Sequence, residues 1–329
     1  ITMITNSNYS GIIINDDYME QVPYDVTPRQ LYSAARLYAG YRLNDEATYS
    51  TCYDTLVYRH FMQTGKRAHE VRESLARALH DHCMAMALEA FLADHDKRRT
   101  VGIMGGHALQ RTDKMFREIV LIAKQLTEQG CLMLTGGGPG AMEAAHLGAW
   151  MAGRRQEETD DALKPLARAP WFENAGWLSV ALQVMERYPQ HRYQSLGIPT
   201  WLYGHEPSTP FATHIAKFFE NSLREDGILT YAFGGIIYTP GSAGTMQEIF
   251  QDAVQNHYLS FGFSSPMVFL GQKFWTEEMP VYPLLQNLMK SGRYKNLLLS
   301  LYDEPKDVVN EIIKFSRKKQ ADLTTTNDE

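Results

Sequence analysis

The segment TPGSAGTMQEIF, residues 239–250, places a glycine-rich turn next to a single acidic side chain. An apolar, strand-like run at 235–239 precedes the turn, and a helix-like run at 249–258 follows it. Glycine lets the backbone approach a bound group closely, and the free N–H groups at a helix N-terminus attract anions such as phosphate. We therefore expect a phosphate site built from Gly241, Ser242, Ala243, Gly244 and Thr245.

Glu248, the acid that follows this turn, has two interpretations. Thr245 and Glu248 have the spacing of a capping box, in which Thr245 caps a helix that begins near Met246 and Glu248 accepts a hydrogen bond from the Thr245 N–H. Glu248 also follows the candidate phosphate site by about one helical turn, roughly 5 Å. A carboxylate at that distance could contact the sugar of a bound nucleotide. The spacing leaves both interpretations open.

A second glycine-rich turn, GGGPG at 136–140, also joins a strand-like run to a helix-like run. Together with the strand-like run at 101–106 and the helix-like runs at 114–130 and 141–153, it predicts alternating strands and helices. This alternation indicates an α/β, doubly wound parallel sheet of the Rossmann-like kind. Ligands of such sheets bind at the carboxyl ends of the strands. We therefore expect backbone N–H groups of the first turn to reach the same phosphate, at Gly137, Gly138 and Gly140.

Two familiar nucleotide sites do not fit these turns. A dinucleotide site needs an acidic residue at the end of the next strand, about 20 residues after the glycines. The sequence there is RRQEETDDALK, which does not have a strand pattern. A P-loop needs Lys-Ser or Lys-Thr directly after the glycines, and neither turn has it.

The motif PGSAGTMQE at 240–248 resembles PGGxGTxxE of the LOG family, the cytokinin-activating phosphoribohydrolases that often carry the label lysine decarboxylase. GIMGGH at 102–107 and TGGGPGAME at 135–143 are similar to the first two strand–turn segments of that family. GHEPSTPF at 204–211 and the helical N-terminal part look closer to the bacterial pyrimidine/purine nucleotide 5′-monophosphate nucleosidases within it. The resemblance covers about residues 100–315.

The resemblance implies hydrolysis of the N-glycosidic bond of a nucleoside 5′-monophosphate, which gives a free base and ribose 5-phosphate. It implies that Glu248 is catalytic, stabilising an oxocarbenium-like state and polarising water, and that Arg224 is its partner. Arg224 lies one residue farther from Pro240 than the family pattern has it, and Ser242 replaces a motif glycine. The implied reaction uses no metal and no cofactor, and the implied assembly is a homodimer or a larger homo-oligomer.

The alternative is a non-catalytic module of the same superfamily that senses a nucleotide or binds the molybdenum cofactor. Such a module would keep the glycine turns without using Glu248 as a catalyst. A decarboxylase would need a lysine for pyridoxal phosphate, and neither glycine turn carries one.

Further polar residues lie close to the expected strand ends and are candidates for lining the crevice. Glu143 is also expected to stabilise the N-terminus of its own helix through the helix dipole. These candidate crevice residues are Gly106, His107, Arg111, Glu143, His205 and Glu206.

The rest of the chain divides into an extension and a catalytic domain. Residues 27–98 read as a helical extension, and residues 99–316 as the Rossmann-like nucleotide-binding domain. The predicted extension helices are 29–43, capped by Thr27 and Pro28, 46–64 and 68–93. The other predictions are strands at 200–203, 267–270 and 298–302, an irregular charged excursion at 154–170, and helices at 177–187, 281–289 and 306–314.

Composition excludes several classes of protein. The 329 residues carry a formal net charge of −6, with 44% apolar and 21% charged residues, so a nucleic acid is not an expected partner. Three widely spaced cysteines favour a reducing, cytoplasmic location. No apolar run approaches the roughly 20 residues that span a bilayer. ITMITNSN resembles the vector-encoded leader of the β-galactosidase α-peptide, so we expect 1–26 to be a partly vector-derived leader, and 317–329 to be a disordered tail.

Overall fold

The structure is a computed structural model that describes residues 16–317. Within them lies one seven-stranded sheet in which neighbouring strands are parallel. The strands are β1 (Thr100–Met104), β2 (Leu132–Thr135), β3 (Ser195–Gly197), β4 (His214–Ile215), β5 (Ile236–Tyr238), β6 (Pro266–Leu270) and β7 (Leu298–Tyr302). Their spatial order is β4-β3-β2-β1-β5-β6-β7. The α/β, doubly wound parallel sheet expected from the sequence is therefore confirmed.

The order of the strands changes direction between β1 and β5. Strands β2 to β4 extend the sheet on one side of β1, and β5 to β7 extend it on the other. β1 and β5 pair directly, with Ile103 opposite Ile237 and Met104 opposite Tyr238. Chain segments that leave two such strands diverge and open a crevice beyond the carboxyl ends. The turns after Met104 and Tyr238 therefore border the crevice.

The helices cover both faces of the sheet. They are α1 (Asp16–Gln21), α2 (Ala34–Leu37), α3 (Tyr53–Gln63), α4 (Val71–Ala93), α5 (Lys114–Glu128), α6 (Ala141–Trp150), α7 (Gln156–Leu166), α8 (Trp177–Arg187), α9 (Asn221–Tyr231), α10 (Ala243–His257), α11 (Val281–Lys290) and α12 (Pro305–Ser316). One face packs with α5, α6 and α12 around Val101 and Ile103. The other packs with α4, α9 and α10 around Met104 and Tyr238. Burial on both faces explains why the strands are almost continuously apolar.

The N-terminal extension shares the core of the second face. Leu37, Phe61 and Met84 belong to the same buried cluster as Trp201 and Phe219. Polar contacts also cross this boundary, because the buried carboxylate of Asp54 accepts hydrogen bonds of 2.8 Å from the Trp201 indole N–H and from the Lys217 ammonium group. The extension is therefore attached to the sheet by both apolar and ionic contacts.

The first two predicted helices of the extension are wrong in part. Only Ala34–Leu37 is helical within 29–43, because Tyr32 is extended and exchanges two backbone hydrogen bonds of 2.8 Å with Ile215 at the edge of the sheet. Thr27 and Pro28 therefore do not begin a helix. The predicted helix 46–64 is a 3₁₀ turn followed by α3, with extended backbone at Cys52 between them. The third prediction agrees with α4 apart from its first three residues.

Two predictions between residues 99 and 316 are also wrong. The predicted strand at 200–203 is a 3₁₀ turn at Trp201–Tyr203, capped by the Thr200 hydroxyl, which accepts a hydrogen bond from the Leu202 N–H. The strand ends earlier, at Gly197, and Pro199 has no N–H with which to extend it. The excursion at 154–170 contains the regular helix α7, whose buried residues recur at helical spacing while its charges face the solvent.

The ends of the chain lie outside the described residues. The predicted leader is described only from residue 16 onward, and the predicted tail only at Arg317. Over residues 16–317, no helix has both the length and the apolar character needed to cross a membrane.

Candidate active site

A cleft of about 360 Å³ lies at the carboxyl ends of β1 and β5. Its walls come from the turn after β1, from α9, from the start of α10 and from the segment after β3. Many of the residues singled out from the sequence line it, namely Gly106, His107, Glu206, Arg224, Ser242, Ala243, Gly244, Thr245 and Glu248. Residues far apart in the chain are thus brought into one crevice.

The second glycine turn presents the N-terminus of α10 to this cleft. The helix begins at Ala243, and the Ser242 carbonyl accepts the Met246 N–H at 3.1 Å. Ser242, Ala243 and Gly244 are exposed, and no atom lies within 4 Å of the place where a Gly244 side chain would begin. The first N–H groups of a helix have no intrahelical partner, and the helix dipole makes them attractive to an anion. The turn can therefore bind a phosphate.

The turn also shows why serine is tolerated at a position where the motif has glycine. Ser242 has φ −116°, a value that any L-residue can adopt. Gly241 is restricted more strongly, since a Cβ atom there would lie 2.2 Å from Thr245 Oγ1. Replacement of the motif glycine by Ser242 is therefore compatible with the turn.

Glu248 is not a helix cap. Because α10 begins at Ala243, Thr245 lies inside the first turn and Glu248 is the sixth residue of the helix. The capping-box interpretation is therefore wrong, and the half-buried Glu248 carboxylate lines the cleft instead. Burial raises the pKa of Glu248 to about 7, Arg224 lowers it in part, and Glu225 raises it further. Near neutral pH this carboxyl group can exist in both protonation states.

Arg224 packs on the first glycine turn. A Cβ atom at Gly136 would lie 2.7 Å from Arg224 Nη2, so this position must stay a glycine if the guanidinium is to keep its place. Arg224 and Glu248 form no ion pair within 4 Å in the described part of the chain, yet the arginine is close enough to lower the pKa of the carboxyl group. A substrate group can therefore be accommodated beside both side chains.

Two hydrogen bonds join the helices that carry these residues. The Gln247 side-chain amide donates to Glu225 Oε2 at 2.9 Å, and that of Gln251 donates to Asp226 Oδ1 at 2.7 Å. Both glutamines line the cleft. Their sequence positions did not single them out, because a polar helix face is usually only solvated.

The first glycine turn contributes less to the cleft than the sequence indicated. Gly137, Gly138 and Gly140 are buried and do not line the cleft, whereas Gly136 does. The Gly137 N–H donates to Thr135 Oγ1 at 2.9 Å, and the Gly138 N–H donates to Met142 Sδ at 3.4 Å. Two donors expected to bind phosphate are thus engaged inside the protein.

Arg111 and Glu143 do not lie in the crevice, in contrast to the expectation from the sequence. Both side chains are 1% exposed, and they form an ion pair in which Arg111 Nε donates to both oxygens of Glu143 at 3.2 Å. Arg111 Nη1 also donates to the carbonyl groups of Ala169 and Trp177. This buried pair connects the turn after β1 with α6 and with the segment that leads into α8.

Glu206 lies close to two histidines, of which His107 lines the cleft together with it. His107 Nδ1 lies 3.5 Å from Glu206 Oε1, and His205 Nε2 lies 3.9 Å from the same oxygen. His205 is largely exposed and faces a neighbouring cavity lined by Tyr49, Phe172 and other residues rather than the cleft itself. Glu206 and His107 are thus the residues of this group that a ligand in the cleft could reach.

Other cleft residues and one buried acid were missed from the sequence. Met142 and Tyr203 also line the cleft. Asp252, one turn after Glu248, is buried and accepts a hydrogen bond of 2.7 Å from the Tyr238 hydroxyl. Burial raises the pKa of Asp252 to about 7, and the Tyr238 hydrogen bond opposes that rise. Within residues 16–317, no group of three or more His, Cys, Asp or Glu side chains is arranged to hold a metal.

Comparison with known proteins gives partial structural overlaps. No protein-family model and no curated protein matches the sequence. The molybdenum cofactor binding protein of the phototrophic bacterium Rippkaea orientalis is 15% identical over 65% of this chain and 94% of its own, with a TM-score of 0.40. The molybdenum cofactor carrier protein of Chlamydomonas reinhardtii is 16% identical over 67% of this chain and 99% of its own, with a TM-score of 0.39. TM1055 is 16% identical over 65% of this chain and 98% of its own, with a TM-score of 0.40.

Overlaps at this level carry no argument about activity. The LOG family resemblance of the motifs therefore stays a prediction, and the roles of the cleft residues rest on their geometry.

Proposed function

We propose that this chain hydrolyses the N-glycosidic bond of nucleoside 5′-monophosphates to a free base and ribose 5-phosphate. The observation that carries the proposal is the position of Glu248 in the same cleft as the open N-terminus of α10. Glu248 lies five positions after Ala243, which corresponds to about 7.5 Å along the helix. A 5′-phosphate bound at the helix N-terminus would direct its ribose towards the carboxylate.

The chemistry required of Glu248 fits its surroundings. The bond between C1′ and the base nitrogen breaks, its electron pair leaves with the base, and positive charge develops on the ribose ring. A carboxylate beside the ring stabilises that charge, as in glycosidases. Water then forms a bond from its oxygen to C1′, and Glu248 accepts its proton. A pKa of about 7 suits a group that accepts a proton and releases it to the departing base near neutral pH.

Arg224 supplies the positive charge of the site. It packs on Gly136 at the side of the cleft that leads towards Met142 and Glu206. In that place its guanidinium can meet the negative charge that develops on the departing base, or hold the ribose hydroxyls. Met142 and Tyr203 offer apolar surface on which a flat base can lie.

A second proposal is a nucleotide-sensing or molybdenum-cofactor-binding module. Two of the structurally similar proteins are described as molybdenum cofactor binding or carrier proteins. The open N-terminus of α10 would serve such a module equally well, since the cofactor also carries a phosphate. What favours hydrolysis is Glu248, because a half-buried carboxylate near a phosphate site has no evident use in binding an anion.

The test is product release from a panel of nucleotides. The protein is incubated with AMP, GMP, CMP, UMP, IMP and isopentenyl-AMP, and free base and ribose 5-phosphate are measured. Glu248→Gln should lower kcat by about 10² or more, because it removes the proton acceptor and the charge. Glu186→Gln, on the exposed side of α8 and away from the cleft, is the matched control, since it removes the same charge and should leave kcat unchanged.

The outcomes separate the two proposals. Release of base by the wild type and not by Glu248→Gln supports hydrolysis. If no nucleotide is cleaved while one of them, or the molybdenum cofactor, raises the melting temperature, the binding module is correct. Equal turnover by both proteins would refute the role of Glu248.

A further inference from the structure

Asp81, in the N-terminal extension, holds the segment from which α9 starts. Its carboxylate is buried and accepts the Phe219 N–H at 3.0 and 3.1 Å and the Glu220 N–H at 2.8 Å. Phe219 and Glu220 immediately precede Asn221, the first residue of α9. An acidic group at this end of a helix is also favoured by the helix dipole. The start of α9 is thus fixed by a residue 138 positions earlier in the chain.

Asp81 is itself held in place by its neighbour His80 on α4 and, through His80, by Tyr32 in another segment of the extension. His80 Nδ1 lies 2.8 Å from Asp81 Oδ1, and His80 Nε2 lies 2.9 Å from the Tyr32 hydroxyl. Tyr32 is in turn paired through its backbone with Ile215 in β4. A hydrogen-bonded chain therefore runs from the edge of the sheet through the extension to the beginning of α9.

The same chain reaches Arg224. Asn221 Oδ1 accepts a hydrogen bond of 3.4 Å from Arg224 Nη1, and this is the hydrogen bond that the structure describes for the Arg224 side chain. Beyond it, Glu225 Oε1 lies 3.9 Å from the same nitrogen. Because the arginine depends on the first turn of α9, a shift of that turn would move the guanidinium away from Gly136 and from the Glu248 side of the cleft.

We propose that Asp81 is a positioning residue for Arg224, so that the N-terminal extension forms part of the catalytic machinery. Asp81 does not line the cleft and acts through Phe219, Glu220 and Asn221. The kinetic consequence rests on the proposed nucleosidase function. The structural consequence, a fixed distance between Arg224 and Glu248, can be measured without turnover.

The kinetic test is a double-mutant cycle. Asp81→Asn keeps the size of the side chain and removes its charge, and we expect kcat to fall about tenfold to a hundredfold through misplacement of Arg224. In an Arg224→Ala background the same change should have no further effect on kcat, because the residue through which it acts is gone. If Asp81→Asn lowers kcat equally in the wild-type and Arg224→Ala proteins, Asp81 has a general structural role and the proposal is overturned.

A second measurement is independent of catalysis. The pKa of Glu248 is followed by ¹³C NMR of carboxyl-labelled glutamate in the full-length protein, with Glu248→Gln used for assignment. Arg224 lowers this pKa and Glu225 raises it, so moving Arg224 away should raise it. We expect upward shifts in Arg224→Ala and in Asp81→Asn, and no additional shift in the double variant. An unchanged Glu248 pKa in Asp81→Asn overturns the proposal, whether or not the protein cleaves nucleotides.

Two further variants keep the test decisive. Glu73→Gln is the matched control, because Glu73 is also buried on α4 and its described hydrogen bonds go to Tyr18, His60 and Arg77, which all precede the sheet in the chain. It should leave kcat and the Glu248 pKa unchanged, and a change as large as that of Asp81→Asn refutes the specific link. If Asp81→Asn does not fold, Asn221→Ala breaks the same chain at a half-buried position and must reproduce both effects.

Discussion

Replacing Glu248 by glutamine should stabilise the folded protein above neutral pH. Burial raises the pKa of this carboxyl group from its ordinary 4.5 to about 7, so the folded state binds the proton more tightly than the unfolded state does. Stability then falls as the pH rises from about 4.5 to about 7, and stays reduced above that range. Glutamine has no charge to bury and removes this loss.

The expected gain follows from the size of the pKa difference. A rise of about 2.5 pKa units corresponds to about 3 kcal/mol, as an upper bound. Water reaches a half-buried side chain and reduces the figure, so we expect roughly 1–2 kcal/mol at pH 8. The gain should vanish below about pH 4.5, where both states are protonated.

Urea unfolding at pH 4.5, 6 and 8 measures the effect. Glu186→Gln, on the exposed side of α8, is the matched control and should change the free energy of unfolding by less than about 0.5 kcal/mol at each pH. If Glu248 capped the helix, Glu248→Gln would destabilise the protein, since loss of a cap costs about 1 kcal/mol. Destabilisation of Glu248→Gln at pH 8 would therefore refute the placement of this carboxylate in the cleft.

Four further substitutions probe the surroundings of the site. Asp252→Asn should stabilise the protein above about pH 7 by up to about 4 kcal/mol and have little effect near pH 4, because burial raises the pKa of Asp252 from 3.8 to about 7. Urea unfolding at the two pH values measures this difference. Gly241→Ala should lower the free energy of unfolding by about 1–3 kcal/mol, since its Cβ would meet Thr245 Oγ1 at 2.2 Å. Gly244→Ala should not lower the free energy of unfolding, but it should weaken the binding of ribose 5-phosphate, which calorimetry measures. Arg111→Ala should cost about 3–5 kcal/mol through its buried ion pair and leave kcat unchanged at temperatures where the variant is folded.

Much of the sheet and its switch point could be predicted from the sequence because the relevant signals are local. An apolar run, a glycine turn and an amphipathic helix follow one another within about 30 residues, and each is stable only if it packs on its neighbour. Glu248 could be selected as a candidate because its spacing from Gly241 depends on one turn and one helix. Because α10 starts at Ala243, Glu248 lies beyond the capping positions of the helix and lines the cleft.

The extension and the segment after β3 could not be predicted in the same way. Tyr32 is extended because it pairs with Ile215, a partner 183 residues away, and no local pattern shows that pairing. Trp201 reads as part of an apolar strand, yet it is buried against the extension and its indole N–H donates to Asp54. Likewise, the Arg111–Glu143 ion pair joins side chains whose sequence positions suggested a crevice. In each case a distant partner outweighs the local preference.

Glu248 and Arg224 are therefore placed in the cleft by different means. Glu248 follows β5 directly, so the sheet, the glycine turn and the first turn of α10 fix it within one stretch of chain. Arg224 belongs to α9, which leads into β5 from its other end, and the start of α9 is held by Asp81. The sheet alone does not determine where α9 begins. Asp81, Asp54 and the Tyr32 pairing all lie where the extension meets the sheet, and of these Asp81 fixes the segment from which α9 and Arg224 start.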